Sequence, residues 1–239
     1  VYDYDGNWVS TFKSAPVIVK SKETVKLKAA KVLIVGVGGL GSPIALYLAG
    51  AGVGTIGLAD DDEVSLSNLQ RQILYTEEEV GDLKAICASM RISALNREIK
   101  VNACPGRLSK ENARDLIGQY DIIVDGCDNF ATRYLLSDVC SELGKPYVYG
   151  AICGFEGQVS VFNYGEGTQR KTYRDLYPDE EGMLHMPPPP KGVVGVTPAV
   201  TGSVEACEVL KIICGFGEVL AGKLWTIDLH TLQSNKFSL

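Results

Sequence analysis

Two groups of residues in this chain have the types and spacing for chemistry on a phosphorylated ligand. The first is Gly36-Val-Gly-Gly-Leu-Gly41, which follows an apolar, β-branched run and opens a stretch of helical character. Glycines there let the backbone approach a phosphate closely. The helix N-terminus adds free N–H groups and a partial positive charge. Asp60, at the end of the next apolar run, is placed to hydrogen-bond a ribose hydroxyl. This loop predicts a nucleotide but leaves NAD, FAD, S-adenosylmethionine and ATP all open.

The second group is more specific. It begins with Asp60-Asp-Asp-Glu-Val-Ser-Leu-Ser-Asn-Leu-Gln-Arg-Gln72 and continues with Lys84 in Gly81-Asp-Leu-Lys84. Asp125-Gly-Cys-Asp-Asn129 completes it, with Arg133 just beyond. A hydride-transfer site has no use for Asn, Arg, Lys and Asp gathered at the ends of neighbouring strands. Nucleotidyl transfer does, because charge builds on phosphate oxygens and a carboxylate is needed to hold Mg²⁺. Each position also has a plain structural alternative. Arg71 and Lys84 could form surface ion pairs, Asp128 could cap a helix starting at Asn129, and residues 61–63 could be a solvated turn.

The elements that must position these residues follow from periodicity. Short strands are expected at 31–37, 54–60, 99–103, 121–125 and 146–149, alternating with helices at 40–51, 83–96, 112–119 and 131–143. That alternation predicts an α/β fold: a doubly wound, mostly parallel, Rossmann-like sheet. After Gly150 the pattern changes. Residues 158–162 read as a half-exposed strand, and residues 164–192 are rich in Gly, Pro and charge, ending in four prolines at 187–190. Thr197 and Pro198 look like the cap and first position of a helix ending near Gly215. Residues 223–239 read as an antiparallel extension. The expected organisation is a lead-in at 1–30, a nucleotide-binding core at 31–163, a crossover loop at 164–196, and a C-terminal helix and strands of the same domain at 197–239.

At this point the sequence resembles the ThiF/MoeB/HesA family, the bacterial relatives of ubiquitin-activating enzymes. The resemblance rests on Gly-x-Gly-Gly-Leu-Gly at 36–41, Ala-Gly-Val-Gly at 51–54, Ser-Asn-Leu-Gln-Arg-Gln at 67–72, Gly-x-x-Lys at 81–84 and Asp-Asn at 128–129. It implies an adenylyltransferase that uses ATP–Mg to activate the C-terminal carboxylate of a ubiquitin-like sulfur-carrier protein, in thiamin or molybdopterin biosynthesis. By the same resemblance Gly36, Gly38, Gly39 and Gly41 would line the phosphates, and Asp60 would hold the ribose. Asn68, Arg71 and Lys84 would neutralise phosphate charge, with Asp62 beside them, and Asp128 would bind Mg²⁺. Arg71, Lys84 and Asp128 are the expected catalytic set. The alternatives are adenylation of another carboxylate, a peptide or a tRNA base, or a nucleotide-binding scaffold without turnover.

The chain departs from the family pattern in three places. Dimeric members begin with an arginine that reaches the partner's ATP, whereas here the first arginine is Arg71. The expectation is either an N-terminus trimmed ahead of Val1 or a site lacking that arginine, with Lys13 or Lys20 as substitutes. The paired C-x-x-C motifs of many relatives are missing, so structural zinc is not expected. No cysteine lies between Asn163 and Val196, so sulfur should come from a separate donor. Cys153 is expected to be buried in the sheet, and Cys207 and Cys214 to share a core-facing side of a helix.

Composition narrows the classes further. The 239 residues carry 23 Lys and Arg against 29 Asp and Glu, a net charge of −6, which argues against nucleic acid as a partner. The lysine-rich stretch 20–31 reads as a solvated face. No apolar run approaches a membrane span and no secretory signal is visible. Seven scattered cysteines fit a reducing, cytoplasmic setting. A homodimer is expected from the resemblance.

Overall fold

The computed structural model describes residues 21–187 and 192–239. The expectations placed on residues 1–20, including Lys13 and Lys20, and on the prolines at 188–190 lie outside the described residues.

The first charged segment folds as α1 (Ser21–Ala29), and the lysine face stays in solvent while Leu27 is buried. The core strands are β1 (Lys31–Val35), β2 (Thr55–Ala59), β3 (Lys100–Cys104), β4 (Ile122–Asp125) and β5 (Tyr147–Cys153). They alternate with α2 (Gly41–Ala51), α3 (Lys84–Leu95), α4 (Ala113–Gly118) and α5 (Phe130–Leu143), as the apolar periodicity predicts. β6 (Glu156–Phe162), the long helix α8 (Val196–Cys214), β7 (Lys223–Asp228) and β8 (Gln233–Ser238) complete one sheet of order β3-β2-β1-β4-β5-β6-β7-β8. The pairs from β3 to β5 are parallel, and those from β5 to β8 antiparallel.

Side chains on β1 alternate between two apolar layers, as a strand covered on both faces must. Val32 and Ile34 pack with Ile44 and Leu48 of α2, Ile92 of α3 and Val209 of α8. Leu33 and Val35 pack with Ile117 of α4, Leu136 of α5 and the aromatic side chains of Tyr147, Tyr149 and Phe162. The strand order reverses on either side of β1, between β2 and β4. That reversal opens a crevice beyond the C-terminal strand ends, the usual ligand position in such sheets.

The crossover segment is more structured than its composition suggests. It holds α6 (Tyr173–Leu176) and α7 (Glu180–Leu184). Tyr173 is fully buried, with its ring centroid 5.0 Å from that of Tyr134, 5.2 Å from Tyr149 and 5.1 Å from Tyr177. Arg174 pairs with both Asp138 and Glu180 at 2.8 Å. Elements of four and five residues are too short to carry a readable period, so tertiary contacts decide them.

The start of α8 also differs from the expectation. Gly195, not Thr197, is its N-cap, and the Thr197 hydroxyl instead donates to the Gly154 carbonyl at 2.9 Å, tying the helix start to the β5–β6 turn. On the same helix Cys214 is buried but Cys207 is exposed. Seven residues span 700° at 100° per residue, about 20° short of two full turns. The two therefore do face nearly the same way, and what differs is the neighbour: α1 packs against the Cys214 end of the helix, where the Lys26 ammonium donates to the Cys214 carbonyl at 3.2 Å.

Glu205, at the centre of α8, is fully buried, and among the described residues neither carboxyl oxygen has a hydrogen-bond partner. Its carboxyl occupies the space where a side chain at position 150 would sit, which is why a glycine stands there. Burial, reinforced by Asp125, raises its pKa well above the ordinary value. In the unfolded chain the group ionises at about 4.3, whereas the folded protein holds the proton to higher pH. Stability therefore falls as pH rises from about 4.3 toward the folded value. Glu205→Gln should remove that dependence, so its melting temperature should drop less than that of the native protein between pH 5 and pH 8. Each ~1 kcal/mol of difference would appear as about 2–4 °C. Parallel melting curves across that range would rule out the buried carboxyl as the cause.

Candidate functional site

The glycine loop joins β1 to α2 and is held from below. The Gly36 N–H donates to the Ala59 carbonyl at 2.8 Å, and the Tyr75 hydroxyl donates to the Val37 carbonyl at 2.7 Å. The Ser42 hydroxyl donates back to the Gly38 carbonyl at 2.6 Å. Gly36 has a φ of +85°, and any side chain there would overlap the backbone of Gly126 and Cys127. Two loops, one after β1 and one after β4, are thereby pressed together at the crevice.

A cavity of about 1110 Å³ opens at this point. Gly36, Gly38, Gly39, Asp60, Asp62, Arg71, Lys84 and Asp128 all line it, so eight of the ten expected residues meet at one place. Gly41 and Asn68 are not among the lining residues. A side chain at Gly41 would overlap the Gly36 carbonyl, so its part is close packing of loop on helix. Asn68 sits in a short 3₁₀ turn (Leu66–Asn68), where its carbonyl accepts from the Arg71 and Gln72 N–H groups at 3.0 and 2.9 Å. In this structure it shapes the turn that carries Arg71.

Each charged residue has a distinct environment. Asp60 accepts from the Val37 N–H at 2.7 Å through one oxygen and from the Asp62 N–H at 2.9 Å through the other. Burial nevertheless raises its pKa, against those two bonds. Lys84 is almost fully buried at the first position of α3, and its ammonium meets exposed Asp62 at 2.8 Å. This is an ion pair at the cavity rather than a pair on the outer surface. Arg71 is half-buried, and among the described residues its side chain makes one hydrogen-bond contact, 3.5 Å from Nη1 to the Ser67 carbonyl. Among the described residues no carboxylate pairs with it, so its charge faces the cavity uncompensated.

Asp128 is exposed on the cavity wall. The helix cap that could have explained it belongs to its neighbour, since Asn129 Oδ1 accepts from the Thr132 N–H at 2.9 Å. Its carboxylate is therefore available. Among the described residues no cluster of three or more His, Cys, Asp or Glu could hold a metal. Mg²⁺ differs from most protein-bound metals in needing only one or two carboxylates when a polyphosphate supplies further ligands. Asp128 fits that donor set.

Beneath the loop after β4 lies a buried polar group. Asp125, with no exposure, accepts from Tyr147 Oη at 2.7 Å, the Cys127 N–H at 2.9 Å and Arg133 Nε at 3.3 Å. Burial disfavours the charge on Arg133, but Asp125 together with Tyr149, Cys127 and Tyr147 more than offsets this and raises its pKa.

The cavity continues beyond the glycine loop along the antiparallel strands. Gln158, Thr226, Asn235 and Tyr177 line that part, none of which sequence spacing could group. Gln158 Nε2 donates to the hydroxyls of Tyr149 and Tyr177 at 2.7 and 2.9 Å, joining the sheet to the crossover segment. Buried Gln72 also lines the cavity, and its amide oxygen has no partner among the described residues. Cys153 is a correction to the sequence expectation: it is exposed and lines the cavity, because β5 reaches its turn there and leaves the covered part of the sheet.

The ThiF family model matches residues 13–239. The chain is 47% identical over 224 residues to the sulfur carrier protein adenylyltransferase of Thermus thermophilus, covering 90% of this chain and 80% of that protein. It is 43% identical over 223 residues to a probable molybdopterin-synthase adenylyltransferase of Porphyra purpurea, covering 92% of this chain but only 58% of that protein. Among solved structures, E. coli MccB with ATP superposes with a TM-score of 0.78 at 24% identity, over 90% of this chain and 65% of that one. That likeness concerns the fold.

Proposed function

This chain belongs to the ThiF family, whose members are adenylating enzymes, and on that premise we propose that it activates the C-terminal carboxylate of a small ubiquitin-like sulfur-carrier protein with ATP. The observation that carries this reading is the single cavity that joins a cationic phosphate end to a polar shelf on β6–β8. An extended chain terminus laid along the shelf would bring its carboxylate to the nucleotide. A carboxylate oxygen attacks the α-phosphorus, the bond to the β-phosphate oxygen breaks, and pyrophosphate leaves while the carrier keeps the adenylyl group.

In this proposal the glycine loop and the N-terminus of α2 hold the phosphates, and Asp60 holds the ribose. Lys84 and Arg71 stabilise the charge that grows on the transferring and leaving oxygens. Because Lys84 is already paired, Asp62 must yield it to a phosphate or share it. Asp128 would hold Mg²⁺, which supplies charge neutralisation on the triphosphate when bound. The carrier would belong to thiamin or molybdopterin biosynthesis, with sulfur from a separate donor. The active form is proposed to be a homodimer, which would cover exposed apolar residues such as Leu66, Ile73 and Met90. A cytoplasmic location is part of the same reading, which draws on the seven free cysteines. Among the described residues no helix is long and apolar enough to cross a membrane.

Exchange of labelled pyrophosphate into ATP tests the reading. Exchange is expected only when a carrier ending in an intact Gly-Gly is added. Exchange without carrier would reassign the acceptor to a small acid. ATP binding without any exchange would leave a nucleotide-binding scaffold.

A further inference from the structure

Arg133 is 7% exposed and reaches three separate pieces of backbone and side chain. Its Nε donates to Asp125 at the end of β4, at 3.3 Å. Its Nη2 donates to the Cys127 carbonyl at 2.9 Å and to the Gly150 carbonyl on β5 at 3.3 Å. The guanidinium carbon also lies 5.5 Å from the Tyr149 ring centroid and 5.8 Å from that of Phe130. Cys127 is the residue immediately before Asp128, and Gly126 is pressed against the glycine loop. Glu205 is nearby, yet its oxygens take no hydrogen bond, so Asp125 is the carboxylate partner of Arg133 among the described residues.

An arginine whose charge is matched by a buried carboxylate and whose donors are spent on carbonyls is poorly suited to contact a phosphate. It is well suited to fix a loop, because its planar fork can satisfy several acceptors at once. We propose that Arg133 is a positioning residue: by bridging Asp125, the Cys127 carbonyl and the Gly150 carbonyl, it sets the backbone that presents Asp128 to the metal–nucleotide complex. The proposal rests on the functional reading above, since it takes ATP–Mg as the ligand. A lysine in its place keeps the charge beside Asp125 but cannot hold all three acceptors.

The test is calorimetric binding of ATP with and without Mg²⁺ to the purified chain, for the native protein, Arg133→Lys, Asp128→Asn and the double variant. The native protein should bind ATP more tightly with Mg²⁺. Arg133→Lys should lose about 10-fold or more of that metal-linked gain, the usual cost of losing a group that orients a metal ligand, with metal-free ATP affinity within twofold. Asp128→Asn added to Arg133→Lys should cost less than a further twofold. A folded Arg133→Lys protein that keeps its full metal-linked gain, or losses that simply multiply in the double variant, would overturn the proposal. Should Arg133→Lys fail to fold, the charge-neutral pair Asp125→Asn with Arg133→Gln carries the same comparison. A native protein that binds no ATP under either condition would overturn the functional reading itself, and this inference with it.

Discussion

Arg71→Ala is expected to lower carrier-dependent pyrophosphate exchange by on the order of a hundred- to a thousand-fold, the usual cost of one pre-positioned transition-state donor. The size of the effect follows from the electrostatics of the cavity. Lys84 already faces Asp62 at 2.8 Å, so part of its charge is compensated before a nucleotide arrives. Arg71 has no such partner among the described residues, and its side chain makes one long contact, 3.5 Å from Nη1 to the Ser67 carbonyl of the turn before it. Its charge is therefore aimed at the cavity without prior reorganisation. For the same reason the substitution should leave the fold intact, with the melting temperature changed by no more than a degree or two. Arg71→Lys should recover only part of the loss, because an ammonium keeps the charge but not the two-pronged donor geometry. An alanine variant retaining more than a tenth of native exchange would remove Arg71 from the mechanism.

Asp128→Asn should depress exchange about as severely at low millimolar Mg²⁺ and shift the Mg²⁺ requirement upward, since a carboxylate supplies a harder and more strongly charged ligand than an amide. The competing explanation, that Asp128 is a helix cap, is tested by Asp128→Ala, because asparagine caps a helix about as well as aspartate and alanine does not. Losing a cap costs about 1 kcal/mol. Here the cap is Asn129, whose side chain accepts from the Thr132 N–H. Asn129→Ala should therefore lower the melting temperature while Asp128→Ala leaves it unchanged. Thermal melts of the two variants beside a Mg²⁺ titration of exchange separate the roles. A collapse in the stability of Asp128→Ala would return that residue to a purely structural part.

The parts of the site that were legible share a feature: each is local in the chain. Gly36 to Gly41 sits between a strand and a helix whose periods are visible, and Asp60 ends the next strand. Lys84 and Asp128 begin or precede helices that the apolar pattern marks. What escaped notice is distributed. Gln158, Thr226, Asn235 and Tyr177 come to the cavity from three strands and the crossover segment, and nothing in their spacing announces it. Cys153 was misjudged because an apolar run on a central strand reads as buried throughout, although its last residue turns out of the covered sheet.

The sequence alone determined the class of fold, the nucleotide loop, the family and the charged set. Those depend on residue type at short separations, where backbone geometry converts spacing directly into place. Only the tertiary structure decided which charges are free and which are spent. Lys84 with Asp62 is a compensated pair, Arg71 an open cation, Asp128 an open carboxylate and Arg133 a buried crosslink. Those distinctions depend on which side chains meet across 8 to 22 positions of chain and on how much water remains between them. Burial and pairing are properties of the assembled crevice, and so they arise only when the strands and helices close around it.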